Sequence, residues 1–175
     1  MRSKKGFSLI ELLIVVAIIL IIAAIAIPNL LRARIAANES SAVSSIRTIN
    51  TGQATYNNTF PADGYSATLL ALGPQAATGC AAGGPTDQAA CLIDWVLANA
   101  NAVATAKSGY YFNMGNPAGG PPNTDYTVGG SPANFNVSGV RGFCSNSDAV
   151  IRFVASLNGA PVTTNAACVN YTELQ

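Results

Sequence analysis

The sequence predicts an α+β fold. One long N-terminal helix has an apolar half that projects and an amphipathic half that packs against a three- to four-stranded antiparallel sheet. Three observations predict it. Residues 12–27 form an unbroken run of 16 apolar residues. Beyond Pro28 the apolar residues recur at helical intervals. Beyond Lys107 the chain changes to short alternating runs parted by Gly, Pro and Asn. A helix laid on one face of such a sheet is a two-layer architecture.

The first element begins with Arg2, Lys4 and Lys5, followed by Gly6 and Phe7. From Phe7 to Ile27 there are 21 residues. At about 1.5 Å per residue they span ~31 Å, the depth of a bilayer core. The basic flank puts the N-terminus in the cytoplasm and the rest of the chain outside. Three kinds of N-terminus compete: a cleavable secretory signal with "AIA" at 24–26 as its cleavage site, a plain anchor, and a specialised leader. The run exceeds the ~7–15 residues usual for a secretory core, and Glu11 interrupts it. A charge at the centre of a membrane helix costs on the order of 2.5–3.5 kcal/mol, and less near its end. A carboxylate in the first turn suits the helix dipole, and position 7, four residues earlier, lies on the same helical face.

The second half of the helix follows Pro28. Ile35, Ala42, Ile46, Ile49 and Tyr56 lie three, four or seven residues apart and mark the buried stripe. Arg34, Asn38, Ser41, Ser45 and Thr48 mark the opposite face. Pro28 removes one helical hydrogen bond and predicts a kink or soft point between the halves. The whole is one helix of about 50 residues and ~75 Å, ended by "NNTFP".

Residues 59–175 form the head. "TFPADGYSATLLALGPQ" has turn signals around a short apolar run at Leu69–Leu72. "QAACLIDWVLANANAVA", residues 88–104, reads as a short second helix. "SGYYFNM", "TDYTVGG", "GVRGFCS" and "AVIRFVAS" read as strands, and the tail after residue 158 reads as loop.

Composition narrows the chemistry. The chain has 175 residues and no His, so a histidine base, a Ser-His-Asp triad and a His-ligated zinc are excluded. Without residues 1–6, six cations face eight carboxylates, a balance of −2, and no basic field for nucleic acid remains. "GGPTD" and "GNPAGG" lack the Gly-Lys-Ser/Thr ending of a phosphate loop, so no nucleotide site, cofactor or catalytic residue is assigned. Asp63, Asp87, Asp94, Asp125, Asp148 and Glu173 are scattered. "PNTDY" at 122–126 and "NSD" at 146–148 carry oxygens that a loop cation would use, but surface turns explain them better, and no metal site is assigned. Asn57, Asn136 and Asn170 stand in glycan-acceptor patterns that arise by chance in so Asn- and Thr-rich a chain.

Cys80, Cys91, Cys144 and Cys168 contain no CxxC. An even count behind an export-like N-terminus predicts two disulfides in an oxidising compartment. Three connectivities are open. Loop closure favours sequence neighbours, Cys80–Cys91 and Cys144–Cys168.

"KKGFSLIELLIVVAIILIIAAIAIP" resembles the leader and first helix of type IV pilins and of the related pseudopilins of type II secretion. The likeness covers roughly residues 1–55: a basic leader ending in Gly6, then Phe7, then Glu11 five residues after the glycine, the apolar run and Pro28. It implies a pilin-like head, cleavage between Gly6 and Phe7 by a prepilin peptidase, N-methylation of Phe7, and Glu11 as the residue that sets assembly register. The expected segments are a leader at 1–6, a transmembrane and filament-core segment at 7–28, an amphipathic helix at 29–58 and the head at 59–175. The implied role is a structural subunit of a type IV pilus that polymerises with itself. Its other partners would be the peptidase/methyltransferase, the assembly machinery and the inner membrane, which it crosses once before reaching the extracellular filament. A pseudopilin and a membrane-anchored binding domain that never polymerises are the alternatives. In pseudopilins the resemblance also allows a loop calcium.

The cysteine pairing is open to a direct test. Mass spectrometry of a non-reduced digest is expected to give linked Cys80–Cys91 and Cys144–Cys168 peptides. A linked Cys91–Cys144 peptide would overturn that pairing.

Overall fold

A computed structural model describes residues 8–80, 82–115 and 120–174. It divides into two compact units, Met1–Arg34 and Ile35–Gln175. Helix α1, Leu9–Thr59, has 51 residues and continues through Pro28. It stops where Pro61 pushes Phe60 out of the helical region. Phe60 still donates its N–H to the Tyr56 carbonyl at 2.8 Å.

The second unit has two layers. The helical layer is the second half of α1. The other layer is a five-stranded antiparallel sheet in the order β1-β2-β3-β4-β5. The strands are Tyr110–Gly115, Thr127–Pro132, Gly142–Asn146, Arg152–Val154 and Thr172–Glu173. Tyr110 faces Pro132, Gly130 faces Phe143, and Phe143 faces Phe153 in the ladders. The first four strands overlap the runs read from sequence; β4 lies inside its run, and β1, β2 and β3 extend one or two residues past theirs. The fifth lies in the tail read as loop, because two residues are too few to show a period of two. Ala42, Ile46, Ile49 and Tyr56 of α1 join Tyr110, Phe112, Val128 and Phe143 in one core.

The helix expected over 88–104 is corrected. Only α3, Trp95–Ala98, and a 3-10 turn, Val103–Thr105, form there. Residues 90–93 run beside the short helix α2, Leu69–Leu72. Their N–H groups donate to the carbonyls of Ala71, Leu72 and Gly73. Cys91 takes a left-handed φ of 57°. Asp94 then caps the helix, its Oδ1 accepting from Leu97 N at 2.9 Å. A side-chain cap and a cross-link decide the start of α3, and apolar periodicity sees neither. Ser45 is a second correction. Its phase puts it on the solvent face, yet it is buried, and its hydroxyl accepts from Lys107 Nζ at 3.3 Å. Asn38, also assigned to that face, is half-buried and donates to the Ser138 carbonyl at 2.8 Å.

Every residue of β2 and β3 is buried, on both faces of the sheet. The second cover is the segment 157–168, which crosses the outer face as a strap. The Gly159 carbonyl accepts from Tyr111 Oη and Ser131 Oγ. Helix α4, Asn165–Cys168, ends the strap. The strap lies so close that a methyl group at Gly115 would strike the Thr163 carbonyl, one at Gly129 the Val162 carbonyl, and one at Gly142 the Leu157 side chain.

Gly129→Ala is therefore expected to destabilise the full-length protein by about 1–3 kcal/mol in denaturant titrations in detergent. Gly83→Ala, which meets open space, should stay within about 0.5 kcal/mol of the parent. Equal losses in the two variants would contradict the close strap.

Candidate functional site

In the N-terminal unit, α1 opens at Leu9 with Glu11 in its first turn. The Ser8 N–H donates to Glu11 Oε2 at 2.9 Å. From Leu9 to Leu31 the large apolar side chains are exposed on every side, from 42% at Leu31 to 81% at Leu9. Mean hydropathy reaches 3.3 over 18 residues, with none of that stretch buried in its own chain. By length and composition this helix is able to cross a membrane. A helix apolar all round has to be covered by something, whether lipid or other helices. Gly6 and Phe7, the expected cleavage and methylation residues, lie outside the described residues.

In the second unit, three polar side chains of α1 besides Ser45 are buried against the head: Glu39, Asn50 and Gln53. Glu39 Oε1 accepts from the N–H groups of Val140 and Arg141, each at 3.1 Å, and its Oε2 accepts from Arg141 Nε at 2.7 Å. Burial pushes the Glu39 pKa up. The bonds from the Arg141 and Val140 N–H groups and from the Arg141 guanidinium outweigh it and hold the carboxyl below the usual range. The same guanidinium lies over Phe143 and Phe153, 5.5 and 5.7 Å from the ring centres. Asn50 Oδ1 accepts from Tyr126 Oη at 3.0 Å, and its Nδ2 donates to Ser145 Oγ at 2.9 Å. Burial pushes the Tyr126 phenol well above its ordinary pKa, so it stays a donor. Gln53 bonds Ser66 in both directions, donating to its carbonyl at 2.9 Å and accepting from its N–H at 2.8 Å. These clasps spread over ~21 Å of helix and tie its register to three separate segments of the head.

Sequence reading missed all three. The available signal was their phase. Glu39 stands three residues before Ala42 and Gln53 four after Ile49, on the buried stripe itself.

The oxygen-bearing turns at 122–126 and 146–148 do come together. Asn165 Nδ2 donates to Asp125 Oδ2 at 2.9 Å, and the amides of Asn165 and Asn146 meet. The positive charge among them is the buried Arg152. Its Nη2 lies 2.7 Å from Asp148 Oδ2 and 3.4 Å from Glu173 Oε1. Among the described residues no group of three His, Cys, Asp or Glu side chains is placed to hold a metal. Cys144 is bonded to Cys168, with Cα atoms 5.8 Å apart, and Cys80 to Cys91, with Cα atoms 5.9 Å apart.

Comparison with known proteins bears on the first unit and on part of the second. Residues 1–27 match the prokaryotic N-terminal methylation motif. The type IV wide pilus major component PilA4 of Thermus thermophilus is 46% identical over 76 residues, 42% of this chain and 56% of that protein. The type IV major pilin protein PilA of Myxococcus xanthus is 46% identical over 53 residues, 30% of this chain and 24% of that protein. The chain thus spans about half the length of the first relative and a quarter of the second. No solved structure matches. Over the aligned residues the chain is related to type IV pilins.

Glu39 yields a prediction with a sign. Its folded pKa is lowered, so its contribution is complete above the ordinary carboxyl pKa and fades as pH falls through the lower folded value. Glu39→Gln turns an amide donor toward groups that are themselves donors. It should cost about 2–3 kcal/mol at neutral pH and flatten the acid limb of the stability curve. Superimposable stability–pH curves for the two proteins would rule this out.

Proposed function

We propose that this chain is a structural subunit of a type IV pilus, with an assembly role rather than a catalytic one. The observation that carries the reading is the all-round apolar helix behind an N-terminal methylation motif, with one carboxylate in its first turn. Its own chain leaves this helix uncovered, so a second environment has to cover it. Before assembly that environment is the bilayer, which the helix crosses once with its basic end in the cytoplasm. Afterwards it is a bundle of identical helices at the centre of a filament.

The expected segmentation fits this sequence of environments. A prepilin peptidase removes residues 1–6 and the new Phe7 amine is methylated. Residues 7–28 serve as membrane segment and then filament core. The part of α1 from residue 29 carries the head, and Pro28 lies where the two meet. In apolar surroundings Glu11 strongly favours a position opposite a cation, and the Phe7 ammonium of its own or a neighbouring copy supplies one. That preference would set the stagger between copies. The work of extracting the helix from lipid comes from the assembly machinery. Both disulfides belong to the exported, oxidising side.

Fibres sheared from cells are expected to contain this chain beginning at N-methyl-Phe7, shown by terminal sequencing or intact mass. A mature chain with the Gly6–Phe7 bond uncut would overturn the proposal in favour of a non-polymerising anchored domain.

A further inference from the structure

We propose that Glu11 has a second task, separable from register: its carboxylate closes the N-terminus of its own helix by holding the Ser8 N–H. The first four N–H groups of any helix lack partners within it. Near or inside a bilayer, water is scarce and such groups have to be satisfied by the chain itself. Ser8 directly precedes Leu9, the first residue of α1, and Glu11 is the third residue of that helix. Ser-x-x-Glu in this phase is the order in which a glutamate reaches back to the cap residue's N–H. The structure shows that bond, Ser8 N to Glu11 Oε2 at 2.9 Å. The Ser8 carbonyl meanwhile accepts from the N–H groups of Glu11 and Leu12, at 3.1 and 3.3 Å. Ser8 is thus held through both its backbone donor and its backbone acceptor. Residues 12–27 contain no other polar side chain, so no neighbour in that run can replace Glu11.

The two tasks use different properties. Capping needs an acceptor oxygen at the third position, which glutamine also provides. Register needs a negative charge, which glutamine lacks. Ser8 engages only Oε2, and among the described residues Oε1 has no partner, so it is open to an ammonium. The register half of this statement rests on the pilus-subunit reading; the capping half does not. Ser8 thereby becomes a positioning residue. Its pinned backbone fixes where the helix begins.

The test uses the full-length, isotope-labelled subunit in bicelles, with amide exchange at Ser8 followed by NMR. Ser8 should exchange equally slowly in the parent and in Glu11→Gln, and about five-fold faster or more in Glu11→Ala, the loss expected for a missing cap. Alanine is a good helix former, so faster exchange at Ser8 would not reflect a broken helix body. Equal Ser8 exchange in all three proteins, or Glu11→Gln exchanging as fast as Glu11→Ala, would overturn the proposal. Fibre counts made in parallel separate the two ideas. Glu11→Gln with a protected Ser8 but few fibres supports both tasks. Normal fibre counts in Glu11→Gln would sink the register role and leave the cap standing.

Discussion

A helix that is apolar on every side cannot be satisfied by the chain that carries it. Between Leu9 and Leu31 the large side chains face outward all round the axis, and the rest of the chain covers none of the most apolar stretch. Hydrophobic burial therefore has to come from outside the chain, from lipid or from other helices. The polar groups near this segment take their places from that requirement. Glu11 sits in the first turn, where it meets the Ser8 N–H and the helix dipole. Sixteen apolar residues then pass before Pro28.

The head has the opposite problem. It must be complete in itself, because the helix emerging from it is committed elsewhere. Its solution is to mix polar clasps with the apolar stripe. Ile46 and Ile49 supply burial, which is strong but tolerant of sliding. Glu39, Asn50 and Gln53 supply hydrogen bonds, which are weaker in net terms but fail when shifted by a residue. Glu39 alone holds two successive backbone N–H groups and one guanidinium. Helix and head are thus locked along the axis.

Much of this was legible in the sequence, and the illegible parts share a cause. The Gly6–Phe7–Glu11 spacing, the strand runs after Lys107 and the stop at Phe60–Pro61 are local patterns, readable within a few residues. Glu39 finds its partners about a hundred residues away at Val140 and Arg141. Asn165 links two turns that look like independent surface features. The short α3 depends on Asp94 as a cap and on Cys91 bonded to Cys80, so the apolar pattern of residues 88–104 overstates the helix. The fifth strand exists because β4 offers it an edge. Period and composition report which way a side chain faces; they do not report which distant segment is waiting for it.

The strap over the sheet carries a further consequence. It meets the strands largely through its own main chain, at the carbonyls of Gly159, Val162 and Thr163, with Leu157, Asn165 and the bonded Cys168 as its side-chain contacts, while residues 158, 160, 163, 164 and 166 are exposed. The information that seats it is therefore written in the sheet, in the missing side chains of Gly115 and Gly129 and in the hydroxyls of Tyr111 and Ser131. Selection can rewrite the exposed positions of the strap at little structural cost, while the strands beneath it are held to their alphabet. One fixed mould can thus carry many different outer surfaces.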